Sequence, residues 1–269
     1  MALSADAYQA TDAVVYETFL GRRSRRLAQA LLDFAAFVDD GALLDVGCGT
    51  GSLACAMTAR WPGRRIVGVD SSEAFLAFAR SRALGPTPVF DLGDATALPY
   101  DDGAFAGTAT QLVLNFIPNA EAAAGEMRRV TRRGGIGAAA VLDFRGGAVF
   151  QRLFWDTAAA IDPQAVDRRA RLFSARPALP GGLRDLFVAA GFDRIEESLI
   201  TIRMDYTNFD DYWRPLLGGQ GPVGSYVTGL ASDLRGRIEA AVRAAFCAGA
   251  PDGPRAMSAT AWGVRGIVP

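Results

Sequence analysis

Short apolar runs alternate with amphipathic stretches through the first half of the chain. From Ser24 onward, Leu27, Leu31 and Phe34, with Leu32 and Phe37 beside them, recur at helical spacing, and Ser24 stands where an N-cap would. After the polar, turn-like Asp39-Asp40-Gly41, the run Leu43-Leu44-Asp45-Val46 reads as a buried strand. Gly47, Gly49 and Gly51 close that strand, and residues 53–59 suit a helix. A second buried strand, Ile66-Val67-Gly68-Val69, ends in Asp70; Ser71-Ser72-Glu73 then caps a helix over 74–82. Strands follow at 87–91 and 106–110. A helix over 120–132 turns Ala124, Met127 and Val130 inward and stops at Gly134-Gly135, before a fifth strand at 136–142. Strands alternating with helices from 42 to 142 predict a parallel sheet with right-handed crossovers, an α/β fold.

The glycine turn falls between a strand and a helix, so free backbone N–H groups lie at a helix N-terminus, beyond the carboxyl end of the strand. Glycine also lets a ligand approach the backbone without meeting a Cβ. Asp70, at the end of the second strand and roughly twenty residues past the turn, is placed to accept both hydrogens of a ribose diol. A nucleoside ligand is therefore expected. A dinucleotide turn runs G-x-G-x-x-G, and Ser52 occupies the place of its third glycine. The turn is instead Asp45-x-Gly47-x-Gly49-x-Gly51, with an acid inside the end of the first strand.

Composition narrows the chemistry. The 269 residues are half apolar, which suits one α/β domain with an insertion or small cap. A formal charge of −1 leaves no basic footprint for nucleic acid. All 28 cationic side chains are arginine; histidine and lysine are absent. That excludes Ser-His-Asp hydrolysis, His-ligated zinc, a histidine base, Schiff-base chemistry and the P-loop. Cys48, Cys55 and Cys247 form no C-x-x-C pair, and their odd number suits a reducing cytosol. No signal peptide is read at residues 1–12, and no apolar run has the length of a membrane span. A cytoplasmic protein without bound metal, monomer or homodimer, is expected.

The segment Val46-Gly47-Cys48-Gly49-Thr50-Gly51 resembles the first motif of class I S-adenosylmethionine-dependent methyltransferases. Gly93-Asp94-Ala95-Thr96-Ala97-Leu98-Pro99-Tyr100, with Asp102 and Phe105, is similar to that family's third motif. The resemblance extends through Arg132-Arg133-Gly134-Gly135 to the helix over 182–192, with Ala190-Gly191-Phe192 at its end, a strand over 194–204 and a last strand over 256–267. It implies a Rossmann-like, seven-stranded, mostly parallel sheet with its last strand antiparallel and helices on both faces. The chain would then be one domain, with core 24–144, 181–204 and 256–267 and cap segments 1–23, 145–180 and 205–255. The organisation is similar to the small-molecule branch that includes ubiquinone/menaquinone-type methyltransferases.

The resemblance implies S-adenosyl-L-methionine as cofactor and S-adenosyl-L-homocysteine as product. The turn with Cys48 would hold the methionyl part, Asp45 its amine, Asp70 and Ser71 the ribose, and Asp94 with the Ala95 N–H the adenine. Gln111 and Asn115, beyond the fourth strand, would face the methyl and orient the acceptor; as polar loop residues they would equally serve as caps. Tyr16 and Arg22 would close over the methionyl end, or Arg22 would belong to an ordinary solvated helix start. The family places an acid at the start of the fourth strand, where Ala106 and Gly107 stand here, so no catalytic acid is expected there. Phe150, Phe154, Trp155, Tyr206, Phe209, Tyr212, Trp213 and Tyr226 are read either as core or as an aromatic lid over a small apolar or aromatic acceptor. In-line displacement by proximity, without metal, is the implied mechanism. A non-catalytic nucleoside-binding protein of the same fold is the alternative; a nicotinamide oxidoreductase fails on glycine spacing and on the missing lysine.

Overall fold

The computed structural model describes residues 13–38, 40–83, 85 and 87–269, with the side chains of Val15, Thr18, Phe19 and Arg22 outside the described ones. It opens with α1 (Ala13–Tyr16), a π-helical turn (Glu17–Gly21) and α2 (Arg22–Ala35). Then come β1 (Leu43–Val46), α3 (Ser52–Arg60), β2 (Ile66–Asp70), α4 (Glu73–Arg82), β3 (Val89–Leu92), β4 (Phe105–Gln111), α5 (Ala120–Val130) and β5 (Thr131–Leu142). Helices α6 (Val149–Ala159) and α7 (Pro163–Phe173) precede α8 (Gly182–Ala190) and β6 (Asp193–Tyr206). Helices α9 (Phe209–Trp213), α10 (Gly221–Thr228) and α11 (Ser232–Cys247) lead to β7 (Arg255–Ile267).

The seven strands lie in the order β3-β2-β1-β4-β5-β7-β6. Strands β1 to β5 pair in parallel, and β7 runs antiparallel to both neighbours, β5 and β6. Strand order reverses between β1 and β4, so a crevice opens at their carboxyl ends, where open α/β sheets take ligands. β1 is buried along its whole length, as a central parallel strand must be. Its side chains alternate in direction: Leu44 and Val46 join the core cluster of α5, α6 and α8, whereas Leu43 joins that of α2, α3 and α4. Asp45 shares the second face, which brings its carboxylate to the start of α3.

Three expectations change. Ser24 is no cap, because the π-helical turn runs straight into α2 and leaves no free helix start; Gly21 is the preceding residue and contributes no side-chain bond. Helix α5 ends at Val130 rather than at Gly134-Gly135, since Thr131 already pairs with Phe105 in the sheet. The third strand begins two residues later than expected, at Val89. The expected caps at α4 and after Gly191 are present: Ser72 Oγ accepts the Phe75 N–H, and Gly191 takes a left-handed φ of 84°.

Cap segments 145–180 and 205–255 meet through their aromatic side chains. Trp155 lies 5.4 Å from Tyr226 and Phe154 6.3 Å from Trp213 across them; within the second, Phe209 and Trp213 stack at 5.8 Å and Tyr206 meets Tyr212 at 5.3 Å. The Tyr212 hydroxyl donates to the Phe150 carbonyl at 2.8 Å, and that of Tyr226 to Asp162 at 2.6 Å. Tyr212 and Tyr226 are buried with their hydroxyls satisfied, as interior Tyr requires, whereas the indole N–H groups of Trp155 and Trp213 are buried without a hydrogen-bond partner.

Candidate active site

The turn after β1 is built from three glycines with positive φ, and they serve different ends. A Cβ at Gly47 would meet Val113 Cγ1 at 2.6 Å, and one at Gly51 would meet Phe90 Cζ at 2.9 Å; these two positions are small because the fold packs onto them. A Cβ at Gly49 would meet nothing nearer than Phe75 Cδ2, at 3.8 Å. Gly49, with φ 52°, lines the cavity at the carboxyl edge of the sheet, and the space beside it is open to a ligand.

The Asp45 carboxylate accepts the Ala54 N–H at 2.9 Å, in the first turn of α3, where orphan donors and the helix dipole favour an anion. The Asp70 carboxylate is held by two backbone donors, Gly49 N–H on Oδ2 at 2.9 Å and Ser72 N–H on Oδ1 at 2.8 Å. Asp70 thereby fixes the turn and the start of α4 together. Burial pushes the Asp45 carboxyl up to about 8, with the Asp70 charge adding and the Ala54 N–H opposing. Burial also raises Asp70, against the pull of the Ser72, Gly49 and Ser71 N–H groups.

The cavity has a volume of about 260 Å³ and runs from the glycine turn to the loop after β4 and on to the caps. Asp45 and Asp70 are the only carboxyl groups among its described lining residues, which include no cation. Tyr16, Leu20 and Phe75 supply apolar lining from the N-terminal segment and α4, and Leu112, Val113, Phe116, Ile117, Leu142 and Phe144 from the ends of β4 and β5 and the loops after them. Leu112 carries φ 63°, a strained backbone for a leucine, at the point where β4 gives way to the loop. An acidic, largely apolar cavity suits a ligand that brings positive charge and disfavours a pyrophosphate.

Of the residues singled out from the sequence, Tyr16, Asp45, Gly47, Cys48, Gly49, Asp70, Ser71, Gln111 and Asn115 line this cavity. Gly51 supports it from behind. The Tyr16 ring lies 5.3 Å from Phe75, and burial pushes its hydroxyl up to about 12, against a hydrogen bond with Ser24. It stays neutral at physiological pH. Burial likewise holds the Cys48 thiol well above its ordinary range, so it remains protonated. Gln111 Nε2 donates to the Ser24 carbonyl at 3.0 Å, tying α2 to the end of β4, while its Oε1 is buried with no partner. Asn115 is buried with Nδ2 unpartnered.

Asp94 and Ala95 do not line the cavity. Asp94 lies two residues past β3, exposed, with both Thr96 N–H and Thr96 Oγ1 donating to its Oδ1 at 2.8 Å. Those bonds hold its carboxyl below the ordinary range. Arg22 begins α2, and its side chain lies outside the described residues. Of the two readings of the cap aromatics the core is the one built: Tyr212 and Trp213 are buried and do not line the cavity, which takes its aromatic walls from Tyr16, Phe75, Phe116 and Phe144. The caps contribute Gln151, Leu172, Gly221 and Pro222 instead.

One group escaped the sequence altogether. Glu17, in the π-helical turn, accepts the Thr50 hydroxyl at 2.6 Å and pairs with Arg82 at 2.9 Å and Arg25 at 2.7 Å. It clasps the N-terminal segment onto the glycine turn and onto α4. A Cβ at Gly21 would collide with this carboxylate, which gives a second sequence position a reason.

The family described as "Methyltransferase domain" matches residues 44–139. A demethylmenaquinone methyltransferase of Roseiflexus castenholzii is 31% identical over 184 residues, covering 64% of this chain and 76% of that protein. The nocamycin O-methyltransferase of Saccharothrix syringae is 32% identical over 191 residues, covering 64% of this chain and 66% of that one. Among solved structures, a putative methyltransferase from an antibiotic biosynthesis pathway of Anabaena variabilis superposes with a TM-score of 0.59 at 17% identity, over 90% of this chain and 96% of that one. No helix among the described residues is long and apolar enough to cross a membrane, and no group of three metal-ligating side chains occurs among them.

Proposed function

Since the chain belongs to the S-adenosylmethionine-dependent methyltransferase family, we propose that this cavity binds S-adenosyl-L-methionine and passes its methyl group to a small apolar or aromatic acceptor. One observation carries the reading: the described lining of the cavity holds two carboxyl groups, Asp45 and Asp70, and no cation, beside the open space at Gly49. When bound, the cofactor supplies an electrophilic methyl on a sulfonium. The carboxyl edge of the sheet orders the remaining roles, because neighbouring strands deliver neighbouring contacts. From β4 outward it presents Gln111 at the end of β4, then Asp45 near the end of β1 with the glycine turn beyond it, then Asp70 at the end of β2, then Asp94 after β3. Asp45 answers the ligand's ammonium, Asp70 accepts from the ribose diol with its remaining lone pairs, and the open Oδ2 of Asp94 accepts from the adenine amino group.

No described side chain in the cavity is a ready base. Tyr16 is held neutral by burial, Asp45 shares its environment with the cofactor's ammonium, and Asp70 is committed to the turn. Catalysis then rests on alignment of the acceptor and exclusion of water, with the acceptor arriving as a nucleophile: an ionised phenol, an enolate or an amine. Gln111 Oε1, Asn115 Nδ2 and, from the cap, Gln151 Oε1 are buried without partners along the cavity and are groups available to orient it. Calorimetric titration with S-adenosylmethionine, S-adenosylhomocysteine and NADH tests the reading. Binding of both sulfur nucleosides and not of NADH supports it; silence from both removes it. Methyl transfer to any acceptor separates the enzyme from a binding protein of the same fold.

A further inference from the structure

Helix α6 carries a glutamine where its own pattern asks for an apolar side chain. Gln151 stands three, four and seven positions before Phe154, Trp155 and Ala158, and all four are buried along one stripe of the helix. That stripe packs into the cap core, where Phe154 lies 6.0 Å from Tyr226 and 6.3 Å from Trp213. Gln151 is 7% exposed, its Oε1 is buried with no hydrogen-bond partner, and it lines the main cavity. A second carboxamide lines the same cavity from the loop after β4: Asn115, 6% exposed, with Nδ2 buried and unpartnered. Gln111 differs from both, since its Nε2 is already engaged by the Ser24 carbonyl at the end of β4.

The lining contributed beside these two amides is apolar: Phe116, Leu142, Phe144, Leu172 and Pro222. The charged groups of the neighbourhood open elsewhere. Arg168 and Arg171 line a side recess beyond Asn115, with Asp167 next to Arg168 on the same helix. Behind Gln151, Arg23 borders a recess of about 10 Å³, its guanidinium 4.3 Å from the centre of the Tyr206 ring; the recess has room for no more than one water. Asp45 and Asp70 lie at the ends of β1 and β2. A buried amide atom without a partner destabilises the empty protein, and two of them on one cavity are accounted for when a ligand completes both. Whichever way each carboxamide is turned, together they offer a donor, an acceptor and no charge.

We propose that Gln151 and Asn115 are specificity-determining residues that read two uncharged polar groups of the methyl acceptor. An O–H or N–H of the acceptor donates to Gln151 Oε1, and a carbonyl oxygen accepts from Asn115 Nδ2. The acceptor is then a largely apolar molecule that bears a hydroxyl or amide N–H together with a carbonyl, besides its nucleophilic atom. The inference rests on the methyl-transfer reading and adds to it the polar groups that the substrate must present.

The test uses the protein saturated with S-adenosylhomocysteine and titrated calorimetrically with 3- and 4-hydroxyacetophenone. Each is set beside its methoxyacetophenone, which lacks the donor, and its ethylphenol, which lacks the carbonyl. At least one hydroxyacetophenone should bind at least about threefold more tightly than both counterparts, as a neutral hydrogen bond allows. Gln151→Met should erase one of these two preferences and Asn115→Leu the other, with affinity for S-adenosylhomocysteine retained. Gln151→Met should also raise the urea midpoint of the ligand-free protein, because it removes an unpartnered buried oxygen. Absence of any preference, or preferences that both survive Gln151→Met, would overturn the inference. So would a lowered urea midpoint, which would make Gln151 a structural partner of the recess at Arg23. Failure of S-adenosylhomocysteine itself to bind would remove the cofactor reading instead, so the two failures are distinguishable.

Discussion

Replacing Asp45 with Asn is expected to stabilise the ligand-free protein while weakening its hold on the cofactor. The Asp45 carboxyl is 1% exposed and lifted by burial from an ordinary value of 3.8 to about 8. A carboxyl raised in the fold keeps its proton where the unfolded chain has already lost it. Its contribution to stability is therefore complete below about pH 4 and declines as pH rises toward 8. Each pH unit in that window removes about 1.4 kcal/mol, so the accumulated loss at neutral pH is on the order of 4 kcal/mol. Water in the open cavity reduces this to about 2–4 kcal/mol. Asn has the same shape, keeps an oxygen for the Ala54 N–H and carries no charge. Urea unfolding of the ligand-free proteins should show the variant more stable by about 2–4 kcal/mol near neutral pH, with the difference closing near pH 4. The same substitution removes the partner of the ligand's ammonium, so its calorimetric affinity for S-adenosylmethionine should fall. Titration of the parent in buffers of different ionisation enthalpy should also reveal proton release on binding, absent from the variant. Equal stability of the two proteins from pH 4 to 8 would refute the reasoning, because Asp45 would then be solvated and ionised in the empty site.

Further outcomes follow from the same geometry. Asp70→Ala should weaken S-adenosylmethionine binding by about 1–3 kcal/mol by removing the ribose acceptor and orphaning the Gly49 and Ser72 N–H groups; unchanged affinity in calorimetry would take Asp70 out of the site. Gly49→Val should abolish binding, since its side chain enters the one Cβ-free approach and strains a left-handed residue; a variant that binds normally would misplace the ligand. Trp213→Ala should cost about 3–5 kcal/mol of stability and leave the KM of the folded fraction for its acceptor unchanged; a raised KM with normal stability would return this ring to the substrate site. Glu17→Ala should speed dissociation of S-adenosylhomocysteine in stopped flow by releasing the clasp on Thr50 and Arg82; an unaltered rate would show that the N-terminal segment is held by other contacts.

What could be read in advance was local in the chain. Asp45, the glycines and Asp70 are fixed by strand ends and turn chemistry, which operate over a few residues, and the alternation of strands and helices predicted the parallel pairing of β1 to β5. Features set by distant partners were hidden. Glu17 is an unremarked acid until the fold brings Thr50 and Arg82 to it. The reading of Ser24 failed because a π-helical turn extends the helix backward, which no capping rule anticipates. Gly134-Gly135 looked like a helix stop, yet tertiary pairing of Thr131 with Phe105 ends α5 earlier. The cap aromatics have a spacing that suits a core more readily than a lid but does not exclude the lid. Only the contact of α6 with α9 and α10 decides for the core.

The position of β7 has a consequence for how the molecule is made. Synthesis delivers the chain from its N-terminus, and domains begin to fold in that order. Strands β1 to β5 can assemble as they emerge, each beside a strand already present or next in line. β6 cannot join them: its partner among the strands is β7, which is made after it and must enter between β6 and β5. Until residues 255–267 leave the ribosome, β5 offers an open edge and the fourteen residues of β6 have no strand to pair with. An unpaired edge of this kind invites pairing with other chains. Insertion of one late strand thus closes two edges at once, and a premature stop near residue 250 would split the sheet rather than trim it.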